Sequence, residues 1–236
     1  ACRDADSMFS SACAAASGRF VSTRRAAAAC TPMTAAVDDD GFVEVIYPVF
    51  DGSVYRLSLA DGSVTRPKIE GKWGFKGTGS IDPRGYPLLY AGQGLNENGN
   101  DKGPWNYHIF DLIQNKEVAT ISGTDEVSHR QDPVGWGAFD SSALVDRASD
   151  TLVEPGENGI VYKAKLNAQF DAKAGTVSVK PELTKMTYRT PISRQYGIES
   201  SQAAYRNLMY ASDNDGHIIC WDANTPRNRP CTPWKC

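Results

Sequence analysis

From residue 38 onward, apolar and polar positions alternate in short runs, and each run ends in a cluster of Gly, Asn or Asp. "FVEVIYPVFDG" (42–52), "GYPLLYAGQG" (85–94), "DTLVEPGENG" (150–159) and "NLMYASDNDG" (207–216) each predict a short strand entering a tight turn. Asn-Gly and Asp-Gly suit hairpin turns because these residues accept positive φ at little cost. A second strand follows each turn, in "DGSVYRLSLADGSV" (51–64), "NYHIFDLIQNKEV" (106–118), "NGIVYKAKLNAQFD" (158–171) and "DGHIICWDANT" (215–225). Superposing Tyr55, Tyr107, Tyr162 and Ile219 gives steps of 52, 55 and 57 residues. The chain therefore repeats a unit of about four antiparallel strands, and such a unit is too small to bury both of its faces alone. Stacking the units as blades around an axis buries them, so the fold class expected is all-β, a β-propeller of four-stranded antiparallel blades.

The repeat grammar "DGxVYRLSLxDGS" and "DGHIICWDANT" resembles the PQQ-like, or quinoprotein-alcohol-dehydrogenase-like, β-propeller repeat, in its bacterial secreted or surface form of unassigned function. The resemblance covers residues 38 to 226. It departs from that pattern at "LADGS", "IQNKE" and "ANTPR", which stand in place of the full turn motif, and the Trp that often follows is missing. Propellers of this family usually close with six to eight blades, whereas about four are visible here. A partial propeller, completed by missing sequence or by another chain, is the expectation, because an open arc exposes two apolar blade faces.

Residues 1–37 form an Ala- and Ser-rich arm of different texture, and 227–236 a short tail. The cysteines fall at the two ends: Cys2, Cys13 and Cys30, then Cys220, Cys231 and Cys236. An even number placed this way points to disulfides that tie down the termini in an oxidising compartment, and hence to a secreted, extracellular or cell-surface protein. Six cysteines allow 15 pairings, and the sequence does not choose among them. With 25 basic and 28 acidic residues, the charge favours neither nucleic acid nor an anionic membrane. No run approaches the roughly 18 apolar residues of a membrane span, so none is expected in this portion.

The candidate chemistry sits in a recurring stretch. "WGAFDSS" (136–142) is echoed by "WGFKGTG" (73–79) and, one residue shorter, by "YGIESS" (196–201), each ahead of the next blade's hairpin. A catalytic Ser would be needed once, so recurrence favours scaffold: hydroxyls satisfying backbone groups at an inner strand, and an aromatic wedged between blades. The functional alternative places Lys76, Asp140 and Glu199 on one channel mouth as a mixed-charge ring, beside Trp73, Trp136 and Tyr196, able to hold a small polar ligand.

Enzyme templates find little support. His108, His129 and His217 stand in no metal or nucleophile motif, and GxSxG, HExxH and Walker patterns are absent. The resemblance implies, for a quinoprotein dehydrogenase, adjacent cysteines and a cofactor-bound Ca²⁺; the chain has no adjacent cysteines. "SDNDG" (212–216) and "LNENGND" (95–101) cluster oxygens without the 12-residue calcium-loop pattern. The expectation is thus a non-catalytic extracytoplasmic scaffold for a protein or glycan partner, with no cofactor and no metal. A quinoprotein-like oxidoreductase with its site in the channel, and a ligand-sensing domain of a larger surface protein, are the alternatives.

Overall fold

The computed structural model describes residues 34–37, 43–71, 74–94, 105–125, 138–188 and 197–224. Among them there is no helix, and all pairing is antiparallel. The first sheet holds β1 (Thr34–Val37), β2 (Val43–Pro48) and β3 (Val54–Ser58), in that order. The chain at 64–69 runs back along β3 through only two bridges, Leu57 to Val64 and Val54 to Ile69, in place of a regular fourth strand. The second sheet is a meander of β4 (Ser80–Ile81), β5 (Leu88–Gly92), β6 (Asn106–Asp111) and β7 (Lys116–Ser122).

The third sheet carries β8 (Leu144–Asp146), β9 (Thr151–Pro155), β10 (Ile160–Lys165) and β13 (Glu182–Thr187). A separate hairpin, β11 (Gln169–Asp171) with β12 (Thr176–Ser178), is inserted before β13. The repeat pattern had not indicated it, because "NAQFD" reads as a continuation of the repeated unit. The fourth sheet holds β14 (Ala203–Tyr205), β15 (Leu208–Ser212) and β16 (Ile218–Asp222). Four repeats thus become four sheets, and they do not close into a ring. β1 lies on the arm side of the 37/38 boundary, yet it pairs with β2 along Thr34–Val37.

Strand periodicity sends alternate side chains to opposite neighbours. On β5, Leu88 and Tyr90 join the apolar cluster shared with the third sheet, while Leu89 and Ala91 join the one shared with the first. On β10, Ile160, Tyr162 and Ala164 face the second sheet and Val161 faces the fourth. Three clusters result, one at each junction between consecutive sheets. That is why β5 and β9 are buried along their whole length, as strands packed on both faces must be.

Polar ties repeat at the same junctions. Arg56 on β3, paired with the buried Glu44, donates to the carbonyl of Leu112, just past β6. Lys163, the matching residue on β10, donates to the carbonyl of Ala223 just past β16, at 2.5 Å. His108 holds the matching place on β6 and pairs instead with Glu117. The middle junction is tied by Arg84, which bridges Asp82 of its own sheet to Asp150 of the next.

Candidate functional site

The second, third and fourth sheets are each preceded by a lead-in segment that docks on the turn between the sheet's second and third strands. Gly94 N–H donates to Gly74 O at 2.9 Å, Glu157 N–H to Ala138 O at 3.0 Å, and Asn214 N–H to Gly197 O at 2.9 Å. Gly74, Ala138 and Gly197 are therefore equivalent, as are Phe75, Phe139 and Ile198, all fully or almost fully buried. The next position carries Lys76, Asp140 and Glu199. This register makes the copy that begins at Trp136 one residue longer than the other two. The lead-ins also cross between sheets: Phe75 N–H donates to Val49 O, and Phe139 N–H to Gln93 O.

This backbone frame brings Lys76, Asp140 and Glu199 together. Lys76 Nζ lies 2.6 Å from Asp140 Oδ2, with the Asp140 side chain 3% exposed and that of Lys76 34%. One carboxylate oxygen from each of Asp140, Glu157 and Glu199 lies within 4.8 Å of the others. Asn214 Nδ2 donates to Glu199 Oε1 at 3.0 Å. Burial leads the electrostatics. It pushes the Asp140 carboxyl above its usual range, Glu199's charge adding to the effect and the Lys76 hydrogen bond and charge opposing it. For Glu157, burial together with the charge of Asp140 and the contact with Glu199 raises the carboxyl to about 9. Burial works against the Lys76 ammonium, but Asp140, Glu157 and Glu199 raise its pKa nonetheless.

Glu157 was not singled out in the sequence. It occupies the place of Gly94 and Asn214 in the docking turn, so the missed signal was a second repeating column, at the centre of "QGL" (93–95), "GEN" (156–158) and "DND" (213–215). Gly94 matters by its lack of a side chain: a Cβ there would overlap Asp140 Oδ1 and lie 2.6 Å from Lys76 Cγ. Trp73, Trp136 and Tyr196 lie outside the described residues, as do Cys2, Cys13, Cys30, Cys231, Cys236 and His129.

The serines behind the ring have structural partners. Ser141 Oγ donates to Glu154 Oε1 at 2.6 Å, while Gln202 Nε2 reaches Glu154 Oε2 at 3.3 Å. Burial raises the Glu154 carboxyl to about 8. Among the described residues, the partner of the Ser141 hydroxyl is the Glu154 carboxyl. The wedge between the second and third sheets is Phe139, edge-on to Tyr107 at 5.4 Å and to Tyr162 at 5.0 Å. Of the two calcium-like stretches, Asp213 in "SDNDG" receives the N–H groups of Asp215 and His217, which is turn chemistry; 95–101 lies outside the described residues.

No family model matches the chain, and no curated protein matches it. Among solved structures it is similar to Sqt1 from Saccharomyces cerevisiae, a WD40 propeller, with 13% identity and a TM-score of 0.57 over 85% of this chain and 48% of that one. The fold is that of a β-propeller. Two other structures are similar at 12% identity: BamB from Moraxella catarrhalis, with a TM-score of 0.48 over 82% of this chain and 49% of that one, and the computationally designed Ika4 protein, with 0.46 over 82% and 92%. The propeller spans about half the length of Sqt1 and of BamB. No described helix is long and apolar enough to cross a membrane.

Proposed function

We propose that this propeller is a non-catalytic, extracytoplasmic scaffold of the PQQ-like repeat type that binds a protein or glycan partner at the mouth formed by Lys76, Asp140, Glu157 and Glu199. The observation that carries this reading is convergence: four ionisable side chains from three consecutive sheets meet on one face, and Glu199 among them is exposed. A polar, partly open surface held by rigid backbone docking suits recognition of a polar ligand. Ser141 pairs with Glu154, His108 with Glu117 and His217 with Asp213. The extracytoplasmic part rests on the cysteine distribution. Cys220, buried on β16, is the one cysteine among the described residues.

The test is a glycan array together with a lysine- and arginine-containing peptide array, probed with the wild-type chain and with Glu199→Ala. Binding by the wild type that Glu199→Ala loses supports the reading, and binding that the variant retains places the partner on another surface. Dye-linked alcohol oxidation by the purified protein after addition of PQQ and Ca²⁺ overturns the non-catalytic part. Non-reducing mass spectrometry that finds only thiols overturns the oxidising location.

A further inference from the structure

We infer that the cavity between the first and second sheets is a binding site for a neutral saccharide. It is separate from the Lys76 cluster and does not depend on the partner proposed there.

The cavity has a local cause. Pro67 has no N–H to give, and the chain at 64–69 meets β3 through only two bridges, so the first sheet lacks a regular outer strand there. A space of about 480 Å³ opens between residues 68–71 and the facing side of β6 and β7. That volume falls within the roughly 300–1,000 Å³ of small-ligand pockets. The next junction, where β7 is a regular outer strand, is filled by Ile121, Ile160 and Tyr162.

The floor is rigid. Phe75 and Phe110 are almost fully buried. The His108 ring stacks on Phe110 with centroids 5.8 Å apart and meets Phe75 edge-on at 5.6 Å. Glu117 Oε2 lies 2.5 Å from His108 Nδ1 and holds that ring in place. A site already in its bound shape loses less freedom when the ligand arrives.

The rim selects the ligand. Lys68 and Lys116 stand against Glu70 and Glu117, two charges of each sign. Lys68 Nζ lies 3.6 Å from Glu70 Oε1, and the Glu70 side chain is 78% exposed. A ligand with net charge is attracted by one pair and repelled by the other, whereas hydroxyl groups donate to carboxylates and accept from ammonium groups alike. Asn115, which also lines the cavity, points the same way. Its Nδ2 donates to Pro67 O at 2.6 Å, which fixes the amide, and its Oδ1 is buried with no hydrogen-bond partner. A buried amide oxygen ordinarily has a partner, and a ligand hydroxyl can supply one. An apolar ligand would strip water from this lining and return no hydrogen bonds.

The experiment is saturation-transfer NMR of the full chain with glucose, galactose, mannose, N-acetylglucosamine, cellobiose and maltose at about 10 mM each, with calorimetry for those that bind. Glucuronate and glucosamine are the charged comparisons. At least one neutral sugar is expected to bind, more tightly than either charged one. Thr120→Trp places a bulky side chain on an exposed strand position of the cavity and is expected to abolish binding. The double variant Glu70→Ala, Lys116→Ala, exposed at both positions, should weaken it about tenfold, the worth of a lost polar contact. Glu199→Ala should leave it unchanged. The site is overturned by the absence of any neutral-sugar signal, by tighter binding of a charged sugar, or by undiminished binding in Thr120→Trp. Loss of sugar binding in Glu199→Ala would likewise overturn it and move the sugar to the Lys76 cluster. If Thr120→Trp fails to fold, the double variant decides, and undiminished binding there overturns the site.

Discussion

Lys76 and Asp140, which belong to different sheets and lie 64 residues apart in sequence, meet at 2.6 Å between Nζ and Oδ2. The pair is asymmetric, a buried acid held by a lysine about one third exposed. Removing the lysine leaves a desolvated carboxylate without its counter-charge, which costs more than an exposed pair is worth. Lys76→Met is therefore expected to lower stability by about 1–3 kcal/mol, discounted from the fully buried case because Lys76 reaches solvent. Adding Asp140→Asn should recover much of that loss in a double-mutant cycle read by urea unfolding. A strictly additive cycle would contradict the pairing.

Gly94 supplies the space that the pair occupies. A Cβ there overlaps Asp140 Oδ1 and presses on the Lys76 stem, so Gly94→Ala should cost about 1–3 kcal/mol by overpacking and abolish the Lys76–Asp140 coupling. Gly85→Ala is the control. Gly85 has φ of +82° with nothing near its missing Cβ, so its penalty is backbone strain alone, about 1 kcal/mol. Equal effects of the two substitutions on the coupling would refute the steric account.

Glu154 makes stability depend on pH. Its carboxyl titrates at about 8 in the folded chain against an ordinary 4.5, chiefly through burial. A pKa raised by folding means that the folded state holds the proton more tightly. The contribution is whole below about pH 4.5 and is lost as pH rises through about 8. Glu154→Gln keeps a neutral group there at every pH. Denaturant melts of both proteins between pH 5 and 8 should therefore show a smaller decline for the variant. Parallel declines would count against a buried, protonated Glu154.

The Tyr107 hydroxyl accepts the N–H of Ala143, across the junction between the second and third sheets, at 3.0 Å. In Tyr107→Phe that buried N–H loses its acceptor, for a cost of about 1–3 kcal/mol. Hydrogen exchange offers the direct reading: the Ala143 amide should lose protection while amides in the centre of β6 keep theirs. Retained protection at Ala143 would show that another acceptor serves it.

The alternation of apolar and polar residues, the Asn-Gly and Asp-Gly turns and the 52- to 57-residue steps determined the strands, the four repeats and the propeller class, because these depend on local backbone preferences and on a period of two. Lys76, Asp140 and Glu199 were legible for the same reason, since a repeated column must land at a repeated place. The companion column of Gly94, Glu157 and Asn214 was not read, because its three residues share no chemistry and are equivalent only through the N–H that each donates to a lead-in carbonyl. The hairpin β11–β12 escaped because an insertion inside one repeat has no echo in the others. Only the tertiary structure decided that three acids from two lead-ins and a turn come within 4.8 Å of one another, that Ser141 is engaged by Glu154, and that Phe139 is a wedge. Those outcomes depend on how neighbouring sheets stack, and stacking is set by side chains far apart along the chain.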